Sequence, residues 1–309
     1  MSRARVYVLA TVGIVALASF SLWLVPNAVR SADPESRDDG LPLHMSFKQA
    51  VAQVDSAVQA YGQGIATGDV ALARSVCDTS DTPWLAEQQR IVADVNARLA
   101  GHPARIVFPR TASYSIVHWG RPDSVASSIH GNALVIQDSL TGQVVYEAPY
   151  RALARYGRFR LVRPPEDEEA QVGYRLDLGR LYDREMGKPD HALEIWRQIL
   201  VDFPQAEAEQ RLRVHDAIAE LLEKQKDFAG AATAWEQALG LDTTPHSYSS
   251  IQLDGKWVRV TQAERLKLGL ARCTLAAGQK ERARPLFQEL AGSETSELAA
   301  AAKAALAGM

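Results

Sequence analysis

The residues with the chemistry for acid–base work cluster in a few alternating segments. Along Ser113–Trp119, Tyr114, Ile116 and His118 share one face, while Ser113, Ser115, Val117 and Trp119 share the other. Tyr146 lies in a neighbouring segment of the same alternating kind, and Asp138 opens the turn that precedes it. If the Tyr114 face turns inward, a histidine, a carboxylate and two phenols could serve as proton donors and acceptors. The Trp119 face suits a core equally well, and with it inward these groups become surface or hydrogen-bonded positions. His118 and His130 have no metal-ligand spacing with a nearby carboxylate, so no metal centre is expected.

Other catalytic patterns are missing. The chain has no H-E-x-x-H, G-x-S-x-G, phosphate-binding G-x-x-x-x-G-K or dinucleotide fingerprint. Gly62, Gly64 and Gly68 follow a helical pattern rather than a strand, so a helix-terminating turn explains them. Cys77 and Cys273 form no C-x-x-C pair and lie far apart, which reads as two small core hydrophobes rather than a bridge. No catalytic residue, cofactor or metal is expected, and a small-molecule ligand is not favoured.

Charge narrows the partners. Residues 41–163 carry 12 basic and 9 acidic groups, and residues 164–309 carry 18 and 24. An acidic C-terminal half repels phosphates, which excludes a nucleic-acid groove there. Arg151, Arg155, Arg158, Arg160 and Arg163 form a dense basic run that would meet lipid head groups or the acidic half, or line a solvated strand face.

The elements that would position these groups follow from periodicity. Val51, Val54, Val58 and Tyr61 give one apolar helical face over Phe47–Ile65. Asp69 caps a short helix through Val76, and a third helix runs from Trp84 to Leu99. Strands are expected at Arg105–Phe108, Ser113–Trp119, Asn132–Gln137, Val144–Pro149 and Arg158–Val162, with a turn at residues 138–143. Helices followed by a strand meander give an α+β domain over residues 45–163, helices on one face of an antiparallel sheet. Its element order, the A-T-G-D-V-A-L-A turn and the R-Y-G-R-F-R-L-V strand resemble nuclear transport factor 2-like domains. That resemblance implies a cone fold whose cavity, in some members, hosts a ligand or acid–base chemistry.

The segment P-P-E-D-E-E opens an acidic linker over residues 164–171, and the chain beyond it, residues 172–309, is almost all helical pattern. Ala231, Trp235 and Ala238 fall at small–aromatic–small spacing. The phasing recurs at Ala192, Trp196, Ile199 and Pro204, and at Ala283, Phe287 and Leu290. Ahead of these lie Leu178, Gly179 and Tyr182, then Ala219 and Leu222, then Leu270 and Ala271, with Thr274 where an aromatic would stand. These motifs resemble tetratricopeptide repeats, which implies three stacked helix pairs forming an all-α solenoid with a groove for a partner protein or peptide. The anchor alanines are 39 and then 52 residues apart, against a family period of about 34. The first excess lengthens helices around Gln205–Arg213. The second holds Asp254-Gly255 between alternating residues, which predicts a β-hairpin insertion. Residues 298–307 would form a capping helix. Arg175, Arg180, Asp183, Glu220 and Lys224 would line the groove.

The N-terminus sets the compartment. Residues 1–5 would be a cytoplasmic stub, and residues 6–26 carry no charge over a length that spans a bilayer. An uncleaved transmembrane signal-anchor fits better than a cleaved signal peptide, whose apolar core is shorter. Residues 27–44 would be a polar linker. The expected protein is single-pass in a bacterial inner membrane, periplasmic in bulk, and a scaffold rather than an enzyme. The alternative is a ligand-binding or enzymatic domain at residues 45–163 that the repeats merely localise.

Overall fold

The computed structural model describes residues 47–108, 115–118, 127–155, 158–164, 166–242 and 247–309. The proposed span at residues 6–26 and its linker lie outside them, as do Tyr114 and Trp119. Among the described residues, no helix is long and apolar enough to cross a membrane. The fold is mixed, with several helices and a small antiparallel sheet. It divides into two compact units, the first ending at Pro164 and the second beginning at Pro165.

In the first unit, α1 (Phe47–Thr67), α2 (Val70–Ser75) and α3 (Thr82–Leu99) precede β1 (Ala104–Val107), β2 (Ser115–His118), β3 (Ser127–Asp138), β4 (Val144–Arg155) and β5 (Arg158–Val162). The sheet order is β1-β3-β4-β5, all antiparallel, and β2 pairs the first half of β3 while β1 pairs its second half. Val54, Val58, Tyr61 and Ile65 of α1 bury one face against Leu134, Ile136 and Leu161 of the sheet. Asp69 and Asp81 cap the next two helices by accepting from Leu72 N at 2.9 Å and Trp84 N at 2.8 Å.

The helix expected over Phe47–Ile65 runs from Phe47 to Thr67 as α1, and Gly62 and Gly64, expected in its terminating turn, lie inside it because both serve packing. A Cβ at Gly62 would meet Ile106 at 2.7 Å, and one at Gly64 would meet Ala73 N at 2.5 Å. Gly68, with φ +79, is the residue that ends the helix. The strands β3 and β4 are also longer than expected, 12 residues each. β4 continues through Pro149 because the register jumps there: Gly131 pairs Tyr150, but Leu134 pairs Ala148. This irregularity gives a residue without an N–H a place inside a central strand.

The second unit comprises α4 (Glu168–Arg184), α5 (Pro189–Asp202), α6 (Ala208–Lys224), α7 (Phe228–Leu241), β6 (Tyr248–Leu253), β7 (Lys256–Thr261), α8 (Gln262–Ala276), α9 (Lys280–Leu290) and α10 (Ser296–Ala307). Each helix packs chiefly on the next in sequence, and the hairpin rests on α8 and α10. Asp254 and Gly255 turn it with φ 47 and 79, the pair of positive values that a two-residue type I′ turn needs. Thr261 and Glu264 close a capping box at the start of α8, and Ser293 donates to the same Glu264 carboxylate. The extra residues between the first two helix pairs fall in the Phe203–Glu207 connection and the 17-residue α6.

Two glycines set helix spacing in this unit. A Cβ at Gly179 would stand 2.1 Å from the Trp196 indole nitrogen, and one at Gly269 would stand 2.6 Å from the Trp235 ring. Gly179→Ala is therefore expected to destabilise the protein by about 1–3 kcal/mol through overpacking. That outweighs the gain of about 1 kcal/mol that alanine brings to a helix interior. Urea unfolding should give a lower midpoint at unchanged slope, and an equal or higher midpoint would refute the close contact.

Candidate functional site

The residues expected to pack helix pairs are all buried. Leu178, Gly179 and Tyr182 lie on α4, Ala192 and Trp196 on α5, and Ala219 and Leu222 on α6. Ala231, Trp235 and Ala238 lie on α7, and Ala283 and Phe287 on α9. The Trp196 indole N–H crosses over Gly179 and donates to Leu176 O at 2.9 Å. Thr274, in the aromatic's place, is fully buried. Sequence reasoning missed Gly269, whose signal was the Leu268-Gly269 pair that repeats Leu178-Gly179. Packing leaves none of these side chains open to a partner.

The residues expected to line a groove are engaged as well. Arg175 pairs with Asp202 and lies over the Phe203 ring at 5.1 Å. Arg180 pairs with Asp177 at 2.8 Å. Lys224 of α6 reaches Asp183 of α4 at 2.9 Å. Arg265 of α8 reaches Asp216 at 2.8 Å and Glu220 at 3.7 Å on α6, and Arg272 reaches Glu223 at 2.9 Å. Ion pairs thus lace the first helix of each pair to that of the next. One guanidinium serves two carboxylates, and both acids are raised above the ordinary range. Burial raises Asp216; burial and then the charge of Asp216 raise Glu220.

An open feature lies further along. The hairpin, α8, α9 and α10 line an open groove of about 530 Å³, with Leu253, Leu268, Leu275 and Phe287 among its apolar residues and Gln252, Asp254 and Arg272 among its polar ones. Outward from the hairpin stand Trp257, 74% exposed, and Tyr248, 56% exposed, with the Arg259 guanidinium 4.2 Å over the Tyr248 ring. Neither the groove nor the exposed tryptophan was legible from periodicity, since both depend on how the hairpin lies on α8 and α10.

In the first unit the acid–base candidates separate. Tyr146 turns inward, but there it meets Tyr61, whose hydroxyl donates to Gln88 Oε1 at 2.5 Å; Gln88 Nε2 donates in turn to Trp84 O at 3.0 Å. Burial pushes the Tyr146 phenol up to about 12, and the Cys77 thiol likewise. Asp138 faces His102 rather than His118. Its carboxylate lies 2.8 Å from His102 Nδ1 and accepts from Leu140 N at 2.8 Å and Thr141 N at 3.1 Å. The His102 bond, followed by these backbone N–H groups, holds the acid well below the usual carboxylate range. The pairing of Ala104 with Asp138 brings the α3–β1 loop to this turn, a register the sequence does not reveal. His118 pairs Ser127 and Ser115 pairs His130 along the β2–β3 ladder. Of the arginine run, Arg160 donates to Ser75 O and Arg163 pairs with Asp81 at 3.3 Å. Both cysteines are free and buried, and burial, then Glu223, pushes Cys273 up to about 12. Among the described residues, no group of three His, Cys, Asp or Glu side chains is arranged to hold a metal.

No protein-family model matches the chain, and no curated protein or solved structure matches it either.

Arg265→Gln tests the lacing. Losing the shared cation should cost about 1–3 kcal/mol, below the 3–5 of a fully buried pair because Glu220 is more than half exposed. Two acids already raised in the fold would rise further, so each favours the folded state most when protonated. The deficit should be full at pH 7 and shrink as pH falls toward the unfolded carboxylate range near 4. A deficit independent of pH would show that Arg265 acts through packing on Trp235 instead.

Proposed function

We propose that this protein is a membrane-anchored, non-enzymatic scaffold that holds a partner protein or peptide on a tetratricopeptide-like second unit. The observation that carries the reading is the serial stacking of helix pairs through Gly179–Trp196 and Trp235–Gly269. Such stacking leaves an extended flank whose exposed residues are not needed for the core. The uncharged stretch at residues 6–26 supports a single-pass anchor, and with it an inner-membrane protein whose bulk is periplasmic. Under this reading the first unit, like a nuclear transport factor 2-like domain in element order, is a spacer. Its polar interior groups Tyr61, Gln88 and Tyr146 satisfy one another rather than awaiting a substrate.

Affinity capture from native membranes tests the proposal, comparing the full-length protein with a version ending at Arg163. A specific partner retained by the first and lost by the second is the expected result. Identical protein lists would overturn the scaffold reading and return attention to residues 45–163. Alkaline extraction should leave the full-length protein in the membrane pellet and release a version beginning at residue 45. Release of both would remove the anchor from the reading.

A further inference from the structure

The hairpin of the second unit has two edges with different surroundings. In an antiparallel ladder, pairs that exchange both amide bonds alternate with pairs whose amides point outward. A two-residue turn at Asp254–Gly255 makes Leu253/Lys256 an exchanging pair, so Gln252 and Ser250 direct their backbone N–H and C=O away from β7. On the β7 side, Thr295 Oγ1 donates to Arg259 O at 3.5 Å. On the β6 side, no described residue bonds the outward backbone groups of Ser250 or Gln252.

The turn end of that open edge also borders the groove, where Gln252, Leu253 and Asp254 line it together with Leu268, Phe287 and Ala305. Its charges do not cancel. Arg272 is neutralised by Glu223 at 2.9 Å, whereas Asp254 has no cation within ion-pair distance among the described residues. The surrounding segment, residues 164–309, carries 24 acidic against 18 basic groups, so the wider field has the same sign.

We propose that the β6 edge and its groove bind an extended peptide segment of alternating apolar and basic residues from a partner protein, as an added third strand. The inference rests on the scaffold reading above and names its site. Outward backbone groups recurring every second residue, about 6.8 Å apart, match an extended chain and not a helix or a compact ligand. The groove takes the apolar side chains on one face of that strand. Asp254, held at the turn, selects a lysine or arginine beside them.

The test uses the full-length protein in detergent and a fluorescein-labelled nonapeptide, Ser-Thr-Ile-Lys-Leu-Lys-Val-Thr-Ser, beside its counterpart with both lysines replaced by glutamate. Fluorescence polarisation should saturate with the lysine peptide, which should bind at least about tenfold more tightly than the glutamate peptide. Amide exchange at Ser250 and Gln252 should slow on binding. Asp254→Asn keeps the turn, because asparagine tolerates positive φ, and should reduce the preference to about twofold or less. Ala305→Trp fills the groove and should weaken both peptides. No saturation below about 1 mM, an unchanged preference in Asp254→Asn, or unslowed amides would each overturn the proposal. So would a dimer that Asp254→Asn dissolves, since the edge would then belong to a second copy. A partner captured through residues 165–309 as well by Ala305→Trp as by the unaltered protein would leave the scaffold reading standing and remove this site.

Discussion

The second unit depends on how closely two helices can approach when one of them presents an indole. A helix of 14 to 17 residues carries too little apolar surface to fold alone, so its stability comes from the neighbour. Trp196 is large enough to hold α5 away from α4 unless the facing residue has no side chain. Gly179 supplies that absence, and the indole N–H then reaches Leu176 O at 2.9 Å. A backbone carbonyl at the contact is thereby used, and the two helices are fixed in both distance and rotation. Gly269 repeats the arrangement against Trp235, between one pair and the next. Because each contact is local, helices can be added in series without rearranging those already placed.

This part of the molecule was largely legible, for a physical reason. Small and aromatic residues at fixed helical spacing carry their meaning within about 20 residues, since the partner helix is the next one along. The hairpin was equally local: a two-residue type I′ turn needs positive φ at both central positions, and Asp254-Gly255 is a pair that tolerates it. What stayed hidden was where the hairpin would lie. Val258 and Val260 could have faced any apolar surface, and only the folded chain sets them against Leu268 and Phe287. The groove and the exposed Trp257 follow from that choice.

The first unit was less legible because its contacts are long in sequence. Alternation located the strands but misjudged the ends of β3 and β4, since Pro149 reads locally as a stop and is tolerated only through a register jump with β3. Gly62 and Gly64 likewise read as breakers, although their role is to admit Ile106 and Ala73 from other elements. The partner of Asp138 is 36 residues away and depends on β1 aligning with the end of β3. The Asp138 carboxylate is satisfied where it stands by His102 and the Leu140 and Thr141 backbone N–H groups, none of which alternation along a strand points to.

The ion pairs between successive first helices bear on where a partner can gain affinity. Each exposed pair is worth little to stability, on the order of 0–1 kcal/mol. A ligand charge that displaces one must nevertheless return the same Coulomb energy before it gains anything, so the exchange is close to neutral. Lys224–Asp183 and Arg272–Glu223 therefore make the helix face specific in shape while leaving it a weak source of binding energy. Apolar area still exposed to water gains directly on burial, and an exposed edge amide trades a water hydrogen bond for a peptide one at a modest net gain of about 0.5–1.5 kcal/mol. Both occur together where β6 borders the groove, so the proposed peptide would draw its affinity from the inserted hairpin more than from the helices that support it.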